Sequence, residues 1–178
     1  GIEDAIKSGQ VPKYSVISKY PTDQHHGWRY IVIGGDDRIY IPIGAPCNVC
    51  DEQGYAVITS MNLDGTDKRI IAEGIRNTVG MTFHPTTGEL WFTDNGRDML
   101  GDNIPPCELN KLSYEGEHFG FPFCHGSNIE DPNYGSLGQC SNISIPIQEL
   151  GPHVAPLGLK FYTGEMFPEE YHNQVFIS

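Results

Sequence analysis

The sequence predicts an all-β protein built from the blades of a β-propeller. Glycine and proline together account for 34 of the 178 residues, from 21 Gly and 13 Pro, well above the usual share of about 12%, so closely spaced turns are expected. A unit of strand, polar turn and strand also recurs: aligning Ile33, His84 and Tyr162 gives steps of 51 and 78 residues. Antiparallel units of about 40–50 residues are typical of propeller blades. An ordinary β-sandwich is the alternative.

The first repeat begins after a weak helical pattern at residues 2–8. Short runs rich in Val, Ile, Thr and Tyr alternate with Gly- and Asp-rich turns, the pattern of antiparallel hairpins. Turns are predicted at Gly34-Gly35-Asp36-Asp37 and at Asp64-Gly65. The predicted strands of this repeat cover residues 29–33, 38–43, 55–62 and 68–71.

Two further repeats follow the same pattern. Their predicted strands cover residues 79–84, 89–94, 157–162 and 174–178. The stretch from 95 to 153 has few strand signals, and the second step is longer because of it. Long ordered loops on a rigid scaffold often carry function, so this stretch is a candidate functional region.

Charge and hydropathy exclude two classes of partner. The formal net charge of −12 repels phosphate backbones, so no nucleic-acid partner is expected. No run of 18 apolar residues exists, so no membrane span is expected. The acidic excess is either a solvated surface or, in part, a set of carboxylates that converge on a divalent cation.

Four of the five cysteines form two spaced pairs, which fits disulfides formed in an oxidising compartment. We expect bridges Cys47–Cys50 and Cys124–Cys140 with Cys107 unpaired; reduced, buried thiols are the alternative. Asp51 stands where covalent haem attachment needs a histidine. Zinc is disfavoured because no second CxxC or HxxxH pair follows.

An ordered set of motifs along the chain resembles the glucose/sorbosone dehydrogenases, especially their sorbosone-dehydrogenase-like branch. The resemblance extends over residues 23–178, with the motifs in the family's order and at matching spacings. The motifs are His25-His26-Gly27-Trp28, residues 44–50 (GAPCNVC), Ile75-Arg76-Asn77, Gly80-Met81, residues 91–98 (WFTDNGRD), 105–110 (PPCELN), 119–126 (FGFPFCHG) and 151–158 (GPHVAPLG).

This resemblance implies a six-bladed β-propeller, exported to the periplasm or secreted, of which the chain would supply roughly half. Residues 1–22 would be a leader or connecting segment and residues 23–178 the middle blades. The implied activity is that of a quinoprotein oxidoreductase, which oxidises an aldose, sorbosone or a related aldehyde with bound pyrroloquinoline quinone (PQQ). The implied partners are the sugar or aldehyde, an electron acceptor such as a cytochrome or a quinone, and the missing blades.

The resemblance also assigns the catalytic and cofactor-binding residues. His26 matches the general base, a role that suits imidazole because its pKa lies near working pH. His25 is its rival, expected on the opposite face of an extended segment. Arg76 matches an arginine beside the reactive quinone and Asn77 its neighbour, because a guanidinium fork fits carboxylate and quinone oxygens. The cofactor-binding set is His26, Arg76, Asn77, Gly96 and Arg97.

Calcium is implied at two places. The carbonyls of Gly96 and Arg97 would hold the ion that activates the quinone, and Glu108 a structural ion. Cys107 stands at a usual acidic position, which weakens the second site; Asp94, Asp98 and Asp102 are alternative oxygen donors. Ala45 replaces an Asp that supports the histidine in the glucose-oxidising branch.

Two other functions remain open on this sequence, because propellers host many activities. One is a metal-dependent lactonase or other hydrolase, in which calcium would polarise a carbonyl. The other is a non-catalytic binding or scaffold module. The dehydrogenase hypothesis requires that His26, Arg76 and the carbonyls of Gly96 and Arg97 meet at one patch.

Overall fold

The computed structural model describes residues 2–11, 13–138 and 140–178, and its regular structure is nearly all β. The one α-helix among these residues, α1, spans Ile2–Lys7, where the sequence predicts a weak helix. Three 3₁₀ helices span Gly135–Leu137, Cys140–Asn142 and Glu169–Tyr171. The strands are β1 Val32–Ile33, β2 Arg38–Ile43, β3 Val57–Asn62, β4 Arg69–Glu73, β5 Met81–Phe83, β6 Leu90–Asp94, β7 Cys107–Leu112, β8 Glu117–His118, β9 Cys124–His125, β10 Ile129–Glu130, β11 Gln148–Gly151, β12 Leu159–Phe161 and β13 Val175–Ile177.

The first repeat forms a sheet in the order β1-β2-β3-β4-β8, antiparallel except for β8, which pairs in parallel with β4. The predicted turn closes the β1–β2 hairpin: Gly34 N–H donates to the Arg38 carbonyl at 2.9 Å. Asp37 takes a φ of 59°, a left-handed conformation that Asp and Asn tolerate in turns. β2 and β3 match the prediction within two residues, because their β-branched side chains suit a buried strand.

The second repeat forms a sheet in the order β11-β7-β6-β5, and β12 pairs with β13 to begin a third unit. The units begin at β1, β5 and β12, where the three aligned repeats predict them. Successive antiparallel sheets are the arrangement predicted for propeller blades. A separate hairpin, β9-β10, lies within the long insertion.

The principal core lies between the first two sheets. Phe92 is fully buried and meets Phe119 edge to face, with ring centroids 5.0 Å apart. Burial of each large apolar side chain contributes roughly 1.5–3 kcal/mol, so this cluster holds the two units together. Its buried members are Ile58, Ile71, Ala72, Ile75, Met81, Leu90, Phe92 and Phe119.

Two parts of the secondary structure differ from the prediction. The strand predicted over residues 29–33 pairs only at Val32 and Ile33. β7 lies in the stretch that shows few strand signals, and its Glu108 and Asn110 are buried. Polar residues inside a strand hide the apolar alternation on which strand prediction depends.

The predicted disulfides Cys47–Cys50 and Cys124–Cys140 are both present, and Cys107 is free and buried.

In the segment before residue 23, Tyr20 lies on the first sheet: its hydroxyl donates to the Met61 sulfur at 3.7 Å and Lys68 Nζ lies over its ring. None of the described helices is long and apolar enough to cross a membrane.

The antiparallel order places several chain segments at one edge of the two sheets. β2 and β4 run in the same direction, because β3 lies between them and is antiparallel to both. Since β1 is antiparallel to β2, both strands end at the edge of the sheet where β1 begins. β6 ends at the corresponding edge of the second sheet, where Asn95 N–H donates to the Asn77 carbonyl at 3.2 Å. The segments after β2, β4 and β6 and the turn before β1 therefore meet.

Candidate functional site

The meeting point of these segments contains most of the predicted site residues. Ala45, just after β2, donates its N–H to the Arg76 carbonyl at 2.8 Å. Arg76, just after β4, donates from Nη1 to the Gly96 carbonyl at 3.0 Å. His26 contacts Ala45 from the turn before β1. The structure thus places His26, Arg76 and the Gly96 carbonyl around one patch.

His26 is held in a defined tautomer. Its Nδ1 lies 2.8 Å from the Ala45 carbonyl, and since a carbonyl can only accept, Nδ1 carries the proton. Nε2 is then the atom with the lone pair. The Ala45 main chain thus orients the ring at the position where the related branch has an Asp side chain. His26 also has a φ of 48°, and Arg29 Nη1 donates to its carbonyl at 2.7 Å.

The surroundings keep the His26 imidazole neutral. Burial is the main cause, and the neighbouring Arg76 charge adds to it; together they lower the pKa of His26 to about 4. A neutral ring with an available Nε2 is the form that accepts a proton. The geometry therefore leaves Nε2 available, and the low pKa keeps it unprotonated near neutral pH.

His25 does not point away as an extended segment would require. The chain turns at residues 24–27, with Gly27 N–H donating to the Gln24 carbonyl. As a result the rings of His25 and His26 lie side by side, 4.1 Å between centroids. His25 is exposed, whereas His26 is half-buried against Ala45, so the two side chains differ in environment rather than in face.

All five N–H donors of Arg76 have acceptors within the protein. Nε donates to the Asn48 carbonyl at 2.8 Å, and Nη1 to the carbonyls of Asn95 and Gly96 at 3.1 and 3.0 Å. Nη2 donates to Asn48 Oδ1 at 2.9 Å and to Asp98 Oδ2 at 3.2 Å. The Arg76 side chain is 5% exposed and that of Asp98 is 65% exposed. Asp98 is therefore the acceptor of Arg76 that another anion could most easily replace.

Asp94 at the end of β6 fixes the backbone on either side of this arginine. Its carboxylate accepts the N–H of Arg76 at 2.9 Å and the N–H of Asn77 at 2.6 Å. The Asn77 carbonyl in turn accepts from Asn95. Asn77 thus lies beside Arg76 through main-chain contacts.

Two glycines allow the segments to come this close. A Cβ on Gly44 would lie 2.7 Å from the Cβ of His26 and 3.3 Å from the Arg76 carbonyl. Gly74, with a φ of 72°, bends the chain out of β4, and a Cβ there would meet the His118 ring at 2.5 Å. A larger residue at position 44 would therefore displace His26 from Arg76, and one at position 74 would displace His118.

Behind Arg76 lies a buried charged cluster that the sequence did not indicate. Asp131 accepts hydrogen bonds from Arg97 Nη1 and from His125 Nε2, the latter at 2.9 Å. Burial opposes ionisation, but these hydrogen bonds outweigh it and lower the pKa of Asp131 to about 2. The Arg97 side chain is therefore anchored in the long insertion, and its neighbour Gly96 has its carbonyl in the candidate site.

Glu108 on β7 and Asp94 on β6 form a buried pair of carboxylates directly across the sheet. Burial, reinforced for Glu108 by the charge of Asp94, raises the pKa of Glu108 to about 8; burial also raises that of Asp94 to about 6. Among the described residues, Glu108 accepts only from Gly126 N–H and Asn110 Nδ2. Asn110 Oδ1 beside it is buried without a partner in the described part of the chain.

These oxygens bear on the two predicted calcium sites. Asp94 and Glu108 line a cavity of about 10 Å³ together with Arg76 and Arg97, and carboxylate oxygens are the hard donors that suit a divalent cation. The Gly96 carbonyl, in contrast, already accepts from Arg76. Across residues 2–11, 13–138 and 140–178, no group of three or more His, Cys, Asp or Glu side chains is arranged as a metal site.

Comparisons of sequence and structure give a consistent result. The sequence profile of the family described as Glucose / Sorbosone dehydrogenase matches residues 10–178. An uncharacterized protein of Borreliella burgdorferi is 43% identical over 168 residues, 93% of this chain and 44% of that protein. An uncharacterized protein of Synechocystis is 31% identical over 99 residues, 54% of this chain and 22% of that protein. The chain spans less than half the length of these relatives.

Solved structures share the fold. A Trichoderma reesei carbohydrate-active enzyme of family AA12, in its calcium structure, has a TM-score of 0.69 at 22% identity, over 77% of this chain and 46% of that one. The PQQ domain of Coprinopsis cinerea pyranose dehydrogenase, in its holo form, has a TM-score of 0.67 at 20% identity, over 79% and 46%. The apo form of a soluble aldose sugar dehydrogenase from Escherichia coli has a TM-score of 0.64 at 20% identity, over 85% and 48%.

Proposed function

Since this chain belongs to the glucose/sorbosone dehydrogenase family, we propose that it carries part of the active site of a quinoprotein that oxidises an aldose, sorbosone or a related aldehyde. The observation that carries the proposal is the juxtaposition of a neutral His26, whose Nε2 has the lone pair, and the buried Arg76 guanidinium at one edge of the sheets. A base and a cation side by side match what oxidation of a sugar alcohol group requires.

In the proposed reaction His26 Nε2 accepts the proton of the substrate hydroxyl. The hydrogen on the same carbon leaves with its electron pair, and the C–O single bond becomes a carbonyl. PQQ supplies the two-electron acceptor for that hydride when it is bound. The Ala45 carbonyl keeps the proton on Nδ1, which reserves Nε2 for the substrate and stabilises the ring once it is charged.

Arg76 supplies a fixed positive charge at the place where negative charge would develop. PQQ carries three carboxylates, and its quinone oxygens are acceptors. Because Asp98 is exposed and its contact with Nη2 is the longest that Arg76 makes, an anionic cofactor could take the place of the Asp98 carboxylate without disturbing the other four donors. The residues at this point therefore fit an anionic quinone.

For calcium, the fit differs between the two places. Glu108 with Asp94 would hold a structural ion, since two buried carboxylates lie directly across the sheet and line one cavity. At Gly96 the carbonyl lies at the patch, and an ion there would compete with the Arg76 hydrogen bond to Gly96. We assign Glu108 to a structural calcium, and Gly96 and Arg97 to the cofactor's calcium on condition that Arg76 Nη1 gives up this bond.

The whole protein is proposed to pass its electrons to a cytochrome or a quinone. Both disulfides fit folding in the periplasm or after secretion. The acidic balance of −12 would favour a basic face on an electron-transfer partner.

The test is a dye-reduction assay on the full-length protein with PQQ and calcium, with aldoses and aldehydes as substrates. His26→Asn should lower kcat by about 10²–10⁴-fold, the usual contribution of a general base. His25→Asn, a change of the same size one residue away, should retain activity. Loss with the His25 variant alone, or lactone hydrolysis without PQQ, would refute the proposal.

A further inference from the structure

The loop after β2 carries both a disulfide and the main partner of Arg76. Cys47 and Cys50 are bridged across three residue steps, with Asn48 between them. The Ala45 N–H ties the start of the loop to the Arg76 carbonyl at 2.8 Å. The disulfide closes the loop just where Asn48 must be held.

Asn48 binds the Arg76 guanidinium and also its exchangeable partner. Its carbonyl accepts from Arg76 Nε and its Oδ1 from Arg76 Nη2. The same Oδ1 accepts the N–H of Asp98 at 2.9 Å, and Nδ2 donates to the Asp98 carbonyl at 3.0 Å. Four hydrogen bonds from one residue therefore set where the guanidinium lies and where Asp98 stands against it.

The two disulfides differ in their access to solvent. Cys47 and Cys50 are both half-buried, and Cys50 lines an open cavity of about 450 Å³ together with Tyr55, His118 and Phe123. In the other bridge, Cys124 is 1% exposed and Cys140 is half-buried. A thiol reductant can therefore approach either sulfur of the first bridge, with the cavity open at Cys50, but in the second bridge it can reach only Cys140, because exchange requires direct attack on a sulfur.

We propose that Cys47–Cys50 is a redox-sensitive site that controls the position of Arg76 through Asn48. A dithiol reductant would reduce the bridge: two electrons and two protons give two cysteine thiols, and the reductant becomes a disulfide. The freed loop no longer fixes Asn48, and the guanidinium loses two of its five acceptors. Asn48 holds the Arg76 guanidinium in the protein without cofactor, so the effect of reduction on Arg76 can be tested there. The expected effect of reduction on PQQ affinity rests on the proposed function.

The experiment uses the full-length protein without cofactor or metal. NMR follows two signals: the Arg76 Nε–H, which is protected while it donates to Asn48, and the titration of His26. Reduction with dithiothreitol should remove the protection of the Nε–H. It should also raise the pKa of His26 by roughly half a unit to one unit, because the Arg76 charge is one of the causes that lower it.

Variants separate the steps. The double change Cys47→Ala with Cys50→Ala should reproduce both effects of reduction. Asn48→Ala removes the side-chain bonds to Arg76 Nη2 and Asp98 but keeps the main-chain carbonyl that accepts from Nε, so it should raise the pKa of His26 while the Nε–H stays protected. Arg76→Gln removes the charge and gives the upper limit of the rise in the pKa of His26. Asn62→Ala is the matched control, since Asn62 accepts from Arg38 Nη1 at 2.7 Å elsewhere on the first sheet. It should leave both signals unchanged. PQQ affinity, measured by absorbance titration, should fall about tenfold in the Asn48 and double-cysteine variants as preorganisation is lost.

The proposal is overturned if mass spectrometry shows Cys47 and Cys50 alkylated after reduction while the Arg76 Nε–H stays protected and the pKa of His26 stays fixed. It is also overturned if Asn48→Ala raises the pKa of His26 and reduction does not. Failure of the oxidised wild-type protein to bind PQQ would instead refute the proposed function, since the NMR signals are read without cofactor.

Discussion

The buried Glu108–Asp94 pair makes the stability of the metal-free protein depend on pH in an unusual direction. Burial and the charge of Asp94 raise the pKa of Glu108 from 4.5 to about 8. Between these values the folded protein keeps a proton that the unfolded chain has released. The contribution of Glu108 to stability is therefore greatest below about pH 4.5 and is lost as the pH rises towards 8, opposite to the effect of a salt-bridged carboxylate.

The size of the effect follows from the pKa difference. Three and a half pH units at about 1.4 kcal/mol each give a ceiling of about 5 kcal/mol. Since Asp94 accounts for part of the shift, we expect about 2–4 kcal/mol for Glu108 itself. Glu108→Gln removes the ionisable group, and its amide can donate to Asn110 Oδ1, which lacks a partner, if the Asn110 amide turns. This variant should be more stable than the wild type above pH 8.

The assay is the urea midpoint of the metal-free full-length protein from pH 5 to pH 9, repeated with millimolar calcium. Calcium should restore stability at high pH in the wild type and have little effect on the variant. Glu117→Gln is the control, because Glu117 is equally buried but accepts from Ser113 N–H, Tyr114 N–H and Ser144 Oγ; losing these bonds should destabilise throughout by roughly 1–3 kcal/mol. A Glu108→Gln protein that unfolds at lower urea than wild type at pH 9 would refute the reasoning.

Three further predictions test the remaining parts. Gly44→Ala should lower kcat about 10²-fold, because the added Cβ displaces His26. Gly35→Ala is the control, because the space around Gly35 is open and kcat should not change. Equal kcat values for the two variants would contradict the placement of His26. Asp131→Asn should cost about 3–5 kcal/mol in urea unfolding, since it leaves Arg97 and His125 buried without their anion, and a cost under 1 kcal/mol would show the cluster to be hydrated. Phe92→Ala should cost about 3–5 kcal/mol, while exposed Phe176→Ala should cost far less by the same measurement.

The strands with β-branched runs could be predicted and those with polar runs could not. β2 follows from the run Arg38 to Ile43 and its flanking turn, because each signal is local. β7 could not, since its buried Glu108 and Asn110 belong to a site formed only when the strand lies beside β6. β8 was equally hidden, because its parallel pairing with β4 joins residues more than forty positions apart.

The site shows the same division. The identities of His26 and Arg76 came from motifs, but their partners came from the fold. Ala45 contacts His26 through its main-chain carbonyl, which any residue would supply. Asn48 reaches Arg76 from a different segment of the chain, so the sequence alone does not show that the two residues are partners. Asp131 lies 34 residues from Arg97. It belongs to an insertion whose sequence does not indicate which of its residues lie beside Arg97. Residue types indicated the chemistry, and only the topology brought the partners together.

The strength of His26 as the proposed base depends on which groups contact Arg76. With a pKa of about 4 the unloaded ring is neutral and available, yet a weak base for a hydroxyl proton. Burial comes first among the causes and Arg76 second, while Asp98 works in the opposite direction. Because Ala45 offers a carbonyl and not a carboxylate, the charge that offsets Arg76 must come from its own partners. An anion bound more closely than Asp98 would raise the pKa of His26, so occupation of the cation and activation of the base are linked through one guanidinium.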